Sequence, residues 1–399
     1  MSPQPSALSP QQKPFCAWLI AESCLLTAPT GCSVLTPLSP PAHSTVGSEH
    51  SQSPEDGYRD IVGVIHIHTR YSHDAHGTFE DVIRVANTQR LDYCMTTEHN
   101  NLRALREGRQ GWHGTTLILI GEELSTRSGH YLALNVTDEI DRYQPVQDII
   151  DEVNRQGGLG FIAHPYFKQA RWKDWTVSGF TGIEAYNVAH DTLDENKARL
   201  VFWTLTAPVG PFYFSILDRP YDPLAAWDEM IRQHGRVVGI GSADAHEFHV
   251  GGLKFAPYEV MFQLVRTHLL ISSETLTPEV IYDALRRGHA YLAIELVTEA
   301  KDFTFLAEAD HHVVGVMGDE IPFQPALHLR TWLPTAAQVV LFKDGQAIQS
   351  AILQSWDIPV TEPGVYRLEA SRHNKPWIFS NPIYIRAAPP AENLSPHAP

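Results

Sequence analysis

Cysteine is scarce in this chain, which has only four among its 399 residues. Cys16, Cys24 and Cys32 lie near the amino terminus, and Cys94 lies in an apolar run where a small core residue is expected. Small domains built on disulfides need several paired cysteines, so that class is excluded. The spacing also excludes a zinc finger of the cysteine type.

Basic residues are also few. The chain has 30 lysines and arginines against 46 acids, and its formal net charge is −16. Proteins that bind nucleic acid normally present a basic patch, and no run of lysine or arginine occurs here, so we expect no nucleic-acid partner. Walker, G-x-G-x-x-G and G-x-S-x-G motifs are absent as well, which argues against those nucleotide sites and against a serine nucleophile.

The apolar run at residues 14–26 is too short for a membrane span and is interrupted by Glu22. It is either a degenerate export signal, with a lipoprotein-like ending at Cys32, or a disordered leader. Localisation therefore stays open between the cytoplasm and an exported or lipid-anchored state. Residues 33–56 are rich in Ser, Pro and His, and we expect a flexible linker there.

A second apolar segment occupies residues 200–217, where Pro208 and Pro211 argue against one continuous helix. It is a buried subdomain, a lid over an apolar pocket or a membrane-touching loop. Buried packing is favoured, and membrane contact is not.

From Tyr58 onward, apolar strand patterns alternate with helical ones over about two hundred residues. Strands are predicted at 60–68, 91–97, 116–120, 131–136, 158–163, 182–187 and 236–241. Helices are predicted from Thr78, an N-cap residue, to about Arg90, and at 145–156 and 223–234. Such alternation favours parallel strands joined by crossover helices, in a barrel or an open sheet.

The pattern changes near Thr298, after which only short strands and turns are indicated. Strands are predicted at 304–308, 327–333, 338–342, 365–370 and 377–385, with a hairpin turn at Lys343-Asp344-Gly345. We therefore predict a disordered leader or degenerate export signal with a linker at 1–57, an α/β domain at 58–296, an antiparallel β-sandwich at 297–387 and a disordered tail at 388–399.

Histidines and acids collect where the predicted strands end. The segments are His66-Ile67-His68 with Asp74, Glu98-His99-Asn100, Glu122-Glu123 with His130, Ala163-His164-Pro165, and Asp244-Ala245-His246. Active-site groups of such folds gather at the carboxyl ends of the strands. Imidazole and carboxylate are ligands that Zn, Mn and Fe accept, so a metal centre is predicted.

These motifs, in this order, resemble the PHP (polymerase and histidinol phosphatase) superfamily over about residues 58–296. The carboxyl-terminal strands, ending in Trp377 to Ile385, resemble the carbaryl-hydrolase-type branch less specifically. The resemblance implies a distorted (β/α)7 barrel of the PHP type, followed here by the small antiparallel β-sandwich. It also implies two or three divalent metal ions, which would be Zn, Mn or Fe.

The resemblance also implies which residues hold the metals. One ion would be held by His66, His68, Glu123 and Asp244; a second, bridged by Glu123, by His130 and His164; and a third by Asp74, His99 and His246. His73 is the alternative to Asp74, and Glu122 is the weaker alternative to Glu123. The predicted catalytic residues are Asp244, Glu123 and His246.

Several polar residues near these motifs could have more than one role. Asn100 and Asn187 would orient ligands or simply occupy turns, and His190 and His249 would support the site or be exposed. Arg70, Arg127 and Lys168 would clamp a phosphate, although a surface role is favoured for each.

The ligand set predicts a metal-dependent hydrolase with a small-molecule ester as its substrate. Two cations that share a bridging water lower its pKa and supply hydroxide, which attacks phosphorus or a carbonyl carbon. Phosphate monoesters or (cyclic) phosphodiesters are the first expectation. A carbamate or carboxylester substrate is the alternative, and a non-catalytic metal-binding module is a third possibility.

Overall fold

A computed structural model describes residues 57–188, 209–250 and 253–387. The predicted leader up to residue 56, His190, the tail from residue 388 and the first part of the apolar segment lie outside the described residues.

Strands and helices alternate in the amino-terminal part of the described chain. In chain order they are β1 (Arg59–Ile67), α1 (Phe79–Thr88), β2 (Tyr93–His99), α2 (Arg103–Arg106), β3 (Gly111–His113), β4 (Thr116–Thr126), β5 (Gly129–Leu134), α3 (Val146–Arg155), β6 (Leu159–Ile162), β7 (Gly182–Asn187), α4 (Val209–Ile216), α5 (Tyr221–His234), β8 (Val238–Ser242), β9 (Phe248–Val250), β10 (Leu253–Phe255), α6 (Tyr258–Leu264), β11 (Arg266–Ile271), α7 (Pro278–Arg287) and β12 (Ala290–Ala293).

The strands of this part pair in the order β1, β2, β4, β5, β6, β7, β8. The β1–β2, β2–β4, β6–β7 and β7–β8 pairs are parallel, whereas β5 is antiparallel to β4 and β6. Backbone hydrogen bonds from Ala243 to Ile65 and from Ala245 to His66 then join the end of β8 to β1. The prediction of an α/β fold with mostly parallel central strands is confirmed at this level.

Alternate side chains of these strands face two separate cores. The small core contains Ile65, Met95, Leu119, Phe161 and Ile240, and the large core contains Val64, Cys94, Ile118, Ile162 and Ile183. Helix residues such as Phe79, Ile149 and Trp227 belong to the large core. The small core therefore lies on the opposite faces of the same strands, away from these helices.

The predicted start of α1 is confirmed. Thr78 accepts a hydrogen bond from the Asp81 backbone amide, and the Asp81 carboxylate accepts one from the Thr78 amide, which makes a capping box. The helix ends at Thr88, slightly before the predicted end at Arg90, because Arg90 takes the left-handed conformation.

The carboxyl-terminal part is antiparallel apart from one parallel pair, β15–β20. Its strands are β13 (Thr304–Ala309), β14 (His312–Val316), β15 (Glu320–Pro322), β16 (His328–Lys343), β17 (Gln346–Pro359), β18 (Gly364–Arg372), β19 (Lys375–Ser380) and β20 (Ile383–Arg386). Asp344 and Gly345 form the predicted two-residue turn between β16 and β17, both at positive φ.

Several strand predictions in this part were wrong, among them the single strand at 377–385, which is divided into β19 and β20. The separate strands at 327–333 and 338–342 form one strand, β16, with an irregular register between Trp332 and Ala337 that hid the continuity. The strand β17 was missed because its polar, exposed side chains lack the alternation of a half-buried strand.

The two parts share backbone pairing. β12 pairs with β19, and the Asn381 side chain bonds both backbone groups of Gly239 and the carbonyl of Ala290. The predicted boundary near residue 297 and the separate β-sandwich stay predictions.

The described end of the apolar segment is a short helix, α4. Phe212, Tyr213, Ile216 and Leu217 are buried in the large core, in agreement with buried packing. Among the described residues, no helix is both long and apolar enough to cross a membrane.

A buried ionic cluster fixes β11 to its neighbours. Nδ1 of His268 donates to Oδ1 of Asp60 at 3.0 Å, and Nε2 donates to Oε1 of Glu295 at 3.1 Å. The hydroxyl of Tyr291 donates to Asp60 as well. Burial opposes the imidazolium, but the two carboxylates outweigh burial and raise the pKa of His268 from 6.5 to about 9.

We expect this cluster to make folding less favourable at high pH. Because the folded pKa of His268 lies above the unfolded one, its contribution is complete below about pH 6.5 and disappears as the pH rises through about 9. Through His268 alone, the free energy of unfolding from urea titrations should fall by roughly 3 kcal/mol from about pH 6 to about pH 10. His268→Gln should make the decline smaller by about this amount without abolishing it, because the raised pKa of His66 adds to the decline in the same direction. The control His311→Gln, at an exposed position, should keep the full decline. Equal declines in both variants would contradict the assignment.

Candidate metal centre

Glu123, near the end of β4, lies at the middle of the predicted ligands. Its Oε2 is 3.3 Å from Nε2 of His66 and 3.2 Å from Nε2 of His68. Oδ1 of Asp244 lies 3.4 and 3.5 Å from the same two nitrogens. The ligand atoms of these four residues therefore surround one common point, which is the grouping that the resemblance implies for one metal ion.

The second oxygen of Glu123 faces a different pair of imidazoles. Oε1 accepts hydrogen bonds from Nδ1 of His130 at 2.7 Å and from Nε2 of His164 at 2.8 Å. The two oxygens of the Glu123 carboxylate thus face separate sets of imidazole nitrogens. A carboxylate that bridges two metal ions requires this arrangement.

The third predicted group lies beside the first. Oδ2 of Asp74 is 3.2 Å from Nε2 of His99 and 3.6 Å from Nε2 of His246. The His246 ring also stacks on His68 with centroids 4.1 Å apart. The His73 side chain is 68% exposed, whereas that of Asp74 is 7% exposed, so the structure favours Asp74 as the inward-facing residue.

Strand alternation explains where most of these side chains point. Glu123 shares its parity with Leu117 and Leu119 of the small core, whereas Glu122 shares the parity of Ile118 and Ile120 on the opposite face. Glu122 is consequently outside the centre, where its carboxylate accepts a hydrogen bond from the Ile140 amide. Burial raises the pKa of Glu122 to about 8.

The pair His66 and His68 depends on a β-bulge. The β1–β2 register shifts between Ile65 and Ile67, and His66 takes a left-handed φ of 68°. Ile65 lies in the small core and Ile67 in the large one, so the bulge reverses the alternation. In a regular strand both histidines would share the face of Val62 and Val64 in the large core.

Two other ligand candidates also have left-handed backbone. His164 has φ 25° and Asp244 has φ 46°. Such conformations cost about 1–3 kcal/mol each at non-glycine residues and concentrate at functional sites. His66, His164 and Asp244 all have this unfavourable backbone conformation. The backbone strain at this end of the strands therefore accompanies side chains that are directed into the site.

Buried atoms without partners test whether these residues suit a metal. His66 Nε2, His68 Nε2, His99 Nδ1, His164 Nδ1 and Glu123 Oε2 are buried and make no hydrogen bond among the described residues. An unsatisfied buried polar atom costs about 1–3 kcal/mol, and these atoms lie close together. Cations would satisfy them, so the residues fit divalent metals.

The charges of the site also favour bound cations. Burial opposes ionisation of Glu123, but His130, His66 and His99 outweigh it and hold the pKa of Glu123 well below its usual value. Burial likewise opposes protonation of His66, yet Asp244, Glu123 and Glu184 raise the pKa of His66 well above its usual range. A proton on His66 thus helps to balance the carboxylates, and a metal would replace that proton.

Glu184 of β7 was not among the predicted site residues. Its Oε1 accepts a hydrogen bond from Nδ1 of His66 at 2.6 Å, and its Oε2 accepts one from the His164 amide at 2.6 Å. A carboxylate in this position fixes the tautomer of His66 and leaves Nε2 facing Glu123. The available signal was a single charge inside an otherwise uncharged buried strand.

A second carboxylate, Glu98, positions His68 indirectly. Nδ1 of His68 donates to the Ser72 hydroxyl at 3.1 Å, and that hydroxyl donates to Oε2 of Glu98 at 2.7 Å. Glu98 also accepts hydrogen bonds from the amide and hydroxyl of Thr69. The loop after β1 is therefore fixed to the end of β2.

Asn187, Asn100 and His249 each have different hydrogen-bond partners. The Asn187 amide donates to Oε2 of Glu184 at 2.9 Å, so it contacts the carboxylate that bonds His66 rather than a predicted ligand. Asn100 takes a left-handed turn and bonds the amide and hydroxyl of Ser125. His249 is half exposed and bonds Glu247 rather than a ligand candidate.

Arg70 borders a polar cavity of about 220 Å³ whose lining includes none of the ligand candidates, and Arg127 and Lys168 are on the surface. The cavity is lined by Arg70, Tyr71, Phe79, Glu80, Arg103, Glu107 and Arg109. Arg109 pairs with Glu80, and the Tyr71 hydroxyl donates to Glu107. Arginines outnumber glutamates in the lining, so the cavity favours an anion. Tyr71 directly precedes Ser72, which contacts both His68 and His99.

No family model matches this chain. An uncharacterised protein of Methanocaldococcus jannaschii is 26% identical over 140 residues, which cover 32% of this chain and 81% of that protein.

Two solved structures are similar at low sequence identity. One, a two-domain protein of Bacteroides vulgatus described as containing a predicted PHP-like metal-dependent phosphoesterase, is 15% identical with a TM-score of 0.38, and the match covers 82% of this chain and 96% of that one. The other, PsfC from Pseudomonas syringae, is 12% identical with a TM-score of 0.39, over 59% of this chain and 92% of that one. Neither is described as a carbaryl hydrolase, and that branch stays a prediction.

Proposed function

We propose that this protein is a metal-dependent hydrolase that cleaves phosphate monoesters or (cyclic) phosphodiesters in a distorted (β/α)7 barrel of the PHP type. The observation that carries the proposal is the position of Glu123, whose two oxygens face two separate sets of imidazoles. Buried ring nitrogens that lack hydrogen-bond partners support it further.

The residues would hold two or three divalent ions, Zn, Mn or Fe, in the grouping that the resemblance implies. Bound there, the cations would polarise a substrate oxygen and lower the pKa of water. Nδ1 of His246 donates to the carbonyl of Asp244 at 3.0 Å, which leaves Nε2 as the nitrogen that faces Asp74. This tautomer suits His246 as a ligand, while its catalytic role and those of Asp244 and Glu123 remain predictions.

The arginine-lined cavity favours an anionic ester over a neutral one. Arg70 has no carboxylate within ion-pair distance among the described residues, whereas Arg109 and Arg103 each have one. A second anionic group of a phosphoester would find a charge-assisted donor there. The alternative, carbamate or carboxylester hydrolysis, would gain from an open apolar pocket, but the described apolar residues near Phe212 are packed in the core.

A substrate panel tests the proposal. The purified protein, loaded in turn with Zn, Mn and Fe, would be assayed with 4-nitrophenyl phosphate, bis(4-nitrophenyl) phosphate, a 2′,3′-cyclic nucleotide, 4-nitrophenyl acetate and a naphthyl carbamate. We expect metal-dependent turnover of a phosphoester that His164→Ala reduces by about 10²-fold or more. Turnover confined to the carbamate or acetate would establish the alternative. Stoichiometric metal without any turnover would establish a non-catalytic module.

A further inference from the structure

The outer edge of β17 is long, exposed and unpaired among the described residues. β17 runs over Gln346–Pro359 and pairs only with β16. Such an edge presents a row of free backbone donors and acceptors that can pair with another strand.

Charge and proline, two of the usual protections of an edge strand, are missing from most of β17. Residues 346–356 (QAIQSAILQSW) contain no charge and no proline, and the first of either is Asp357. Ile348 is 46% exposed and Ile352 is 78% exposed. The register with β16 shifts at Ile348, between the pairs Leu341–Gln349 and Phe342–Ala347. Natural sheets commonly place lysine or proline at such an edge to prevent association.

We propose that β17 pairs antiparallel with β17 of a second copy of this chain, around a two-fold axis at Ser350. In that register Gln349 of each copy lies opposite Ala351 of the other, on either side of the two paired Ser350 residues, within the stretch of β17 that pairs regularly with β16. A two-fold interface must be self-complementary, and this strand matches itself in apolar and amide side chains without opposing like charges. A second copy is therefore favoured over a charged partner.

The pairing stops at two copies. Each β17 has one free edge, because the other edge is bonded to β16. The antiparallel pair uses both free edges, so it forms a closed dimer rather than a filament. Since each chain has a net charge of −16, salt should strengthen the dimer by screening the long-range repulsion.

Charge reversal at the two-fold axis tests the proposal on the full chain. Sedimentation velocity should show a dimer whose dissociation constant is in the micromolar range, by order of magnitude. Ser350→Lys and Ser350→Glu should each weaken it by about tenfold or more, because like charges meet at the axis. An equimolar mixture of the two variants should restore the dimer. Ser272→Lys, at an exposed loop position, is the control that should not change it.

Three results would overturn the proposal. The first is a wild-type monomer at all concentrations up to about 100 times the expected dissociation constant. The second is an unchanged dimer in Ser350→Lys. The third is slow hydrogen exchange of the outward amides of residues 346–354 in a monomer, which would assign the edge to another segment of the same chain.

Discussion

Glu123→Gln is expected to reduce metal-dependent turnover by about 10³-fold or more and to lower the amount of metal bound per chain. The substitution keeps the size of the side chain but replaces one oxygen by an amide that cannot ligate through nitrogen. Both oxygens of Glu123 face imidazoles, so either orientation of the amide leaves one set without its shared acceptor. Turnover and elemental analysis of the same preparation would measure both losses.

Glu122→Gln is the matched control for this substitution. Glu122 is the neighbouring residue on the same strand, is also buried and points to the other face. Burial raises its pKa to about 8, so its carboxyl is mostly protonated at neutral pH and an amide resembles it in charge. Metal content and turnover should stay near those of the wild type. If the two variants lost activity equally, Glu123 would have no special role as a bridge.

Metal ions are expected to stabilise the folded protein by about 4 kcal/mol at a free concentration of about 1,000 times the dissociation constant. The reason is that the buried imidazoles and carboxylates converge only in the folded chain, so the unfolded chain binds metal less well. Scanning calorimetry of protein treated with chelator and then reloaded with Zn or Mn would show this as a melting temperature higher by roughly 8 °C.

His164→Ala provides the control for metal-dependent stability. His164 contacts Glu123 and carries a buried nitrogen without a hydrogen-bond partner. The variant should keep the fold but show a smaller increase in melting temperature when metal is added. An equal increase in wild type and variant would mean that the stabilising ion binds elsewhere.

Much of the fold was predictable from local patterns. The strands of the α/β part and the cap at Thr78 follow from apolar runs, N-cap chemistry and turn residues within short windows. β17 was not predictable this way, because an exposed edge strand of polar residues has no apolar alternation. Its assignment depends on backbone pairing with β16, which is a non-local contact.

The sequence by itself determined the chemistry of the centre, since it specifies which imidazoles and carboxylates follow which strands. The resemblance favoured Glu123 over Glu122, and in the structure Glu123 shares the strand parity of Leu117 and Leu119 in the small core. Only the tertiary structure decided the direction of His66 and His68, since the bulge that turns them away from the face of Val62 and Val64 arises from the register with β2. Tertiary structure likewise placed Glu184 against His66, over a separation of 118 residues that local patterns cannot relate.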